Sequence, residues 1–231
     1  MLVTRANHGA LHPPVALTIG NFDGVHLGHQ TILRQLVAEA RLRGLQSCVM
    51  SFEPHPREFF ARAQRKPELA PTRLSSLREK IEMLKAQGVE RLHVQKFSRA
   101  FAALTPQSFV RGLLHESLRA RWVLIGDDFC FGTGRSGNFS LLKQLGEPLG
   151  IEAHALQTVA SEGLRVSSVA VREALAKGDL ARAARLLGRN YSISGRVVHG
   201  DKFGRQLGYA TANVQLRHNR PPLMGIFAVR M

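Results

Sequence analysis

Two histidines, His26 and His29, stand three residues apart in the stretch Gly20-Asn21-Phe22-Asp23-Gly24-Val25-His26-Leu27-Gly28-His29. That spacing puts both imidazoles on one side of a first helical turn. Two ring donors there can stabilise charge developing on a phosphoryl group under attack, an electrostatic form of catalysis. The flanking elements suit an anion. The apolar run Val15–Ile19 precedes the stretch, and an amphipathic helix beginning near Gln30 follows it. A strand, a glycine turn and a helix start offer free backbone N–H groups and about half a positive charge. Gly28 has no Cβ to hold a phosphate or ribose away from the backbone. A capped surface turn is the bland reading of the same residues. Zinc ligands on a helix usually stand four apart with a further ligand, and neither feature is evident here. The strand context and the nearby Gly20, Gly24 and Gly44 favour the phosphate reading.

The elements that must position these groups alternate along the chain. Ile32, Leu33, Leu36, Val37 and Ala40 fall on one face of a helix over about 30–43, stopped by Gly44. A strand over 46–52 runs into Glu53-Pro54-His55-Pro56, which should continue neither strand nor helix. Ser76 and Glu79 form a capping box for a helix to Gln87. Residues 91–97 alternate as a strand, and Thr105-Pro106 opens a helix over about 106–120. Trp122-Val123-Leu124-Ile125 reads as a buried strand and 151–159 as another. Strands and helices in alternation predict an α/β fold, a doubly wound parallel sheet. Ligands in such sheets sit beyond the strand C-termini, where the opening motif lies.

Three more loops at strand ends carry chemistry. Phe52-Glu53-Pro54-His55-Pro56 is one, and Gly126-Asp127-Asp128-Phe129-Cys130-Phe131-Gly132 another. In the third, Ser167 and Ser168 can cap a helix or bind a phosphate at its N-terminus, and Arg172 can fork onto a polyphosphate. A plain N-cap and a solvent-facing arginine are the bland readings there. A short helix follows over 180–187. Beyond Gly188 the pattern turns strand-like over 191–200 and 225–230, with no convincing helix. The domain boundary is placed there, giving 1–188 and an all-β module over 189–231.

Composition bounds the partners. Thirty-two Lys and Arg against 17 Asp and Glu give a net charge of +15. Aromatics are only 6%, and no basic block alternates with them, so no specific nucleic-acid site is indicated. Small polyanions such as ATP are drawn to a basic cleft equally well. The two cysteines, Cys48 and Cys130, lack metal-ligand spacing, and no window spans a bilayer. A soluble, cytoplasmic protein without a membrane partner is the expectation.

Taken together, the four loops in this order resemble the bacterial bifunctional riboflavin kinase/FMN adenylyltransferase (FAD synthetase) family, across essentially the whole chain. Leu187-Gly188-Arg189-Asn190-Tyr191 and the run from Gly195 to Arg205 resemble the join into its kinase module, and Tyr209-Ala210-Thr211-Ala212-Asn213 its kinase motif. The resemblance implies a Rossmann-like nucleotidyltransferase domain followed by a partial β-barrel, and transfer of AMP from ATP to FMN. His26, His29 and Arg172 would then be catalytic. Gly20, Asn21, Phe22, Asp23, Gly28, Ser167 and Ser168 would bind nucleotide, and Pro54, Pro56, Asp128 and Phe129 the flavin. Mg²⁺ would arrive with ATP, and Thr211 and Asn213 match the kinase metal position. The chain departs from the family at Ala210, where proline is usual. No Glu follows Glu173, although the family's barrel continues and carries a catalytic glutamate. An incomplete kinase module that does not phosphorylate riboflavin is therefore expected. Three other readings stay open: a nucleotidyltransferase with another acceptor, a nonspecific nucleic-acid binder, and a non-catalytic flavin- or nucleotide-binding remnant.

Overall fold

The short run Leu2–Thr4 forms β1, an edge strand that no alternation announces. Val15–Ile19 forms β2, with every residue buried. The computed structural model describes residues 1–5, 12–126, 128–156, 160–161, 164–200, 207–209, 211–216 and 220–230. After β2 come α1 (Leu27–Leu42), β3 (Gln46–Glu53), α2 (Pro56–Ala63), α3 (Leu77–Ala86) and β4 (Arg91–Lys96). Then follow α4 (Arg99–Ala102), α5 (Pro106–Ser108), β5 (Ala120–Gly126), α6 (Phe139–Gly146) and β6 (Glu152–Leu156). A small hairpin, β7 (Ala160–Ser161) with β8 (Leu164–Arg165), leads to α7 (Ser168–Ala176) and α8 (Leu180–Leu187).

The six strands β1 to β6 make one parallel sheet in the order β1-β4-β3-β2-β5-β6. Side chains of period two divide its core between two faces. Leu17, Ile19, Met50, Val123 and Ile125 meet Phe109, Val110, Leu114 and Leu142 on one face. Ala16, Val49, Leu92 and Leu124 meet Leu33 and Leu36 of α1 and Leu84 of α3 on the other. Helices on both faces are what a parallel sheet needs. The strand order reverses between β2 and β5, so a crevice opens there beyond their C-terminal ends. The Gly20 loop and the Asp128 loop both leave the sheet at that point.

The structure corrects several boundaries. Helix α1 starts at Leu27 rather than near Gln30, because His26 caps it. The expected helix over 106–120 is α5 widened into a π-helix over Phe109–Ser117, and Arg119, at φ 57°, turns the chain into β5. Pro54-His55-Pro56 does not simply break structure. Pro56 occupies the first turn of α2, where a missing N–H costs nothing. The strand expected over 151–159 is described as Glu152–Leu156, and 157–159 lie outside the described residues.

Beyond Gly188, β9 (Arg196–Val198) pairs antiparallel with β10 (Asn213–Gln215). The strand expected over 225–230 is absent among the described residues. Ile226 and Val229 are exposed there, and an extended segment without a ladder partner is not a strand.

Candidate active site

Asp23 organises the loop between β2 and α1. Its buried carboxylate accepts the backbone N–H of Leu74 at 3.1 Å, the N–H of Ser75 at 3.1 Å and the Ser75 hydroxyl at 3.3 Å. It also forms a short ion pair with Arg172, whose Nε donates to the Thr72 carbonyl at 2.6 Å. Arg172 thus ties α7 to the segment before α3 and to the glycine loop at once. Ser168 Oγ donates to the Asp23 carbonyl at 3.0 Å, and Ser167 Oγ accepts from the Ala170 N–H as the N-cap of α7. In this state both serine hydroxyls serve the fold.

The loop is strained. Phe22 and Val25 have φ of 47° and 39°, a region that costs a non-glycine residue about 1–3 kcal/mol. Surrounding contacts hold it there. Gly24 N–H donates to Ser75 Oγ at 3.2 Å, and Gln30 Nε2 donates to the Val25 carbonyl at 3.0 Å. Ser51 Oγ donates to the Asn21 carbonyl at 3.1 Å and lies 3.1 Å from Lys80 Nζ. At Gly28 a Cβ would come within 3.2 Å of His26 Nδ1 and 3.4 Å of the Val166 carbonyl, so a side chain there would crowd the two walls.

His26 Nδ1 accepts the His29 N–H at 3.3 Å, so in the neutral ring the proton sits on Nε2, which is left as a donor. The two rings stack at 3.7 Å, and His29 lies 4.8 Å from the Phe22 ring. Burial pushes His26 down to about 4, against a partly offsetting Asp23, with Arg172 and Arg189 adding to the fall. Burial, then His26, Lys80 and Arg172, hold His29 well below the ordinary histidine value. Both imidazoles are neutral donors near neutral pH. His29 Nδ1 and Asn21 Oδ1 are buried without a protein partner. Both atoms are available to a polar ligand at this helix start.

The flavin-side candidates lie at two loops that the sequence left unconnected. Glu53 and Glu58 grip Arg73 through four bonds of 2.6–2.8 Å, which fixes the end of β3 against α2. His55 caps α2, accepting the Arg57 N–H on Nδ1 at 3.1 Å, and burial brings it to about 4 as well. Pro54 stands on the wall of a cleft of about 1310 Å³ shared with Arg62, Arg73, Lys96 and Arg196. From α2 a chain of phenylalanine rings leads across to the second loop. Phe97 meets Phe52, Phe59, Phe60 and Phe101 at 5.4–5.9 Å. Phe101 meets Phe109, Phe109 meets Phe131 at 5.0 Å, and Phe131 stacks with Phe129 at 5.9 Å. Asp128 is exposed at the mouth of that loop. Asp127 lies outside the described residues. Thr211 and Asn213 are exposed beyond Gly188, with Asn213 in β10.

Sequence reading passed over Lys80, Arg73 and the phenylalanine chain. Lys80 carried a usable signal, since it falls between Leu77 and Leu84 on the apolar stripe of α3, where a lysine needs a reason. The grip on Arg73 had none, because its partners meet only after the sheet forms.

The buried neutral histidines make a pH prediction. In the unfolded chain they titrate near 6.5. In the folded chain His26 and His55 titrate near 4, so the unfolded state binds more protons between those values. Stability is therefore full above about pH 6.5 and declines as pH falls toward about 4. Urea midpoints measured across that interval should fall steadily on the acid side. A flat midpoint would show that the imidazoles are not held neutral by the fold.

Comparison with known proteins places the chain among relatives. A family model described as FAD synthetase matches residues 9–170, and one described as riboflavin kinase matches 187–231. A bifunctional riboflavin kinase/FMN adenylyltransferase of Escherichia coli (strain K12) is 47% identical over 100% of this chain and 73% of its own length. One of the same description from Pseudomonas fluorescens is 46% identical over 94% of this chain and 68% of its own. A solved structure from Streptococcus pneumoniae, described as a macrolide-efflux protein, superposes with a TM-score of 0.76 at 30% identity, covering 94% of this chain and 69% of that one. That description belongs to the other protein. Among the described residues here no helix is long and apolar enough to cross a membrane.

Proposed function

The chain belongs to the bifunctional riboflavin kinase/FMN adenylyltransferase family, and on that premise we propose that it transfers AMP from ATP to FMN, forming FAD and releasing pyrophosphate. A phosphate oxygen of FMN attacks the α-phosphorus of ATP in line, and the bond from that phosphorus to the bridging oxygen of the leaving pyrophosphate breaks. Such a reaction needs positioning and charge neutralisation more than covalent chemistry. The observation that carries the reading is the stacked, neutral His26–His29 pair at the start of α1, with His29 Nδ1 and Asn21 Oδ1 left unpartnered beside it.

In this reading the loop Gly20, Asn21, Phe22, Asp23 and the close approach at Gly28 receive the nucleotide. His26 and His29 donate to phosphoryl oxygens as charge builds on them. Arg172 orders Asp23 and contributes positive potential, while Ser167 and Ser168 set the start of α7 facing the phosphates. Mg²⁺ bound to the ATP phosphates would supply further charge neutralisation beside His26, His29 and Arg172. Pro54, Pro56, Asp128 and Phe129 border the flavin, and the intervening phenylalanine chain offers apolar faces for a fused aromatic ring. Thr211 and Asn213 match the metal position of the kinase motif in the second module, for which no riboflavin phosphorylation is proposed.

The test is chromatography of products from FMN and MgATP, with nicotinamide mononucleotide and phosphopantetheine as alternative acceptors. FAD and pyrophosphate in equal amounts are expected from FMN alone. Folded protein that makes no FAD, or that prefers another acceptor, would overturn the reading.

A further inference from the structure

The loop that holds His26 is held in turn from beyond the first family match. Arg189 lies in the segment matched to riboflavin kinase, yet its guanidinium reaches back to the nucleotide loop. Nη2 donates to the Gly24 carbonyl at 2.6 Å, and Nη1 donates to the carbonyls of Val25 at 3.2 Å and Leu187 at 3.3 Å. Gln30 completes the knot, donating to the Val25 carbonyl at 3.0 Å and to the Leu187 carbonyl at 2.8 Å. Gly24 and Val25 both have positive φ, at 78° and 39°, and the residue after them is the capping His26.

The same segment is fastened a second time. Glu79 Oε1 accepts the Ser194 N–H at 2.7 Å and its hydroxyl at 2.8 Å, while Glu79 Oε2 accepts the Ser76 N–H at 2.7 Å. Glu79 therefore joins the incoming chain to the cap of α3, directly after the Leu74–Ser75 segment that grips Asp23. Tyr191, between these two fastenings, packs on the α7–α8 cluster.

From this arrangement we infer that Arg189 is a positioning residue for adenylyl transfer, acting from the first residues of the second module. The inference rests on the function proposed above. A strained β-branched residue keeps a positive φ only where its surroundings over-determine it. Arg189 donates to both carbonyls whose peptide planes set that geometry, sharing the Val25 carbonyl with Gln30. Its planar fork holds neighbouring carbonyls at fixed angles, which a lysine ammonium cannot do. Without it, the Gly24–Val25 turn can relax, and the His26 ring moves off its stack on His29. The site would still bind FMN, whose candidate residues lie on other loops. Charge stabilisation at the phosphoryl group would suffer.

The experiment uses the full chain with Arg189→Ala and Arg189→Lys. In Arg189→Ala, kcat for FAD formation should fall at least tenfold while KM for FMN changes less than twofold. Free guanidinium at low millimolar concentration should restore several-fold of the lost rate. Arg189→Lys should lose rate in the same direction and serves where the alanine variant does not fold. A second readout does not depend on activity. The ring resonances of His26 and His29, shifted by their mutual stacking in the wild-type protein, should move toward ordinary histidine positions in either variant. Unchanged kcat, or unchanged histidine resonances in a folded variant, would overturn the inference. A wild-type protein that makes no FAD would defeat the proposed function instead, and the resonances would still decide the positioning role.

Discussion

Replacing His29 with alanine is expected to lower kcat for FAD formation by about 10²–10³-fold, with little change in KM for FMN. The His29 ring is not what holds the helix start together. Its backbone N–H, not its side chain, satisfies the cap on His26 Nδ1. The ring itself packs on His26 and near Phe22 and leaves Nδ1 without a protein partner. Truncation should therefore spare most of the stability and remove a donor used only when charge develops. His26→Ala makes an informative contrast. It removes both a ring donor and the N-cap acceptor, so it should cost about 1 kcal/mol of stability in addition to turnover. Steady-state kinetics with urea titrations of both variants separate these effects. Near-normal kcat in His29→Ala would leave that ring as a packing group at a helix start.

Much of this site was legible in the sequence because its parts are local. The strand at Val15–Ile19, the glycine loop and the capping box at Ser76 each follow from neighbours within a few residues, and each is found where the pattern put it. The boundary of α1 was missed because histidine is an uncommon cap, yet Nδ1 of His26 serves as well as a serine oxygen. In sequence Pro54-His55-Pro56 resembles a breaker because proline ends helices from within, while here Pro56 begins one. The strand expected over 225–230 failed for a different reason. Alternating apolar residues favour a strand only when another strand pairs with them, and Ile226 remains exposed.

What stayed out of reach was non-local. No spacing relates Asp23 to Leu74, Ser75 and Arg172, which meet across gaps of 51 to 149 residues. The sequence supplied the residue types of the site, and the sheet supplied their assembly. Arg172 shows the consequence. Read alone, its fork suggested a direct clamp on polyphosphate. In place, two of its nitrogens are engaged by Asp23 and the Thr72 carbonyl. Its described bonds act on the glycine loop and on the segment before α3.

That influence leads to the second large effect, in Asp23→Ala. The Asp23 side chain is only 5% exposed and takes bonds from two backbone N–H groups, a hydroxyl and Arg172. Removing it strands those donors and leaves the Arg172 charge, itself 17% exposed, with the Thr72 carbonyl as its remaining described partner. Breaking a buried pair by deleting one member typically costs about 3–5 kcal/mol, most of it from the charge left behind. In a chain of this size that corresponds to a fall in Tm of about ten degrees. The charge argument has its own check. In the double variant Asp23→Ala/Arg172→Met the stranded guanidinium is gone, so the double variant should be more stable than Asp23→Ala alone. FAD synthesis should not recover with it, because the Leu74–Ser75 segment still lacks the carboxylate that draws it onto the glycine loop. If the double variant is no more stable than the single one, the cost lies in the unpaired N–H groups and not in the charge. If Asp23→Ala itself unfolds at the wild-type urea midpoint, the carboxylate does not hold this loop at all.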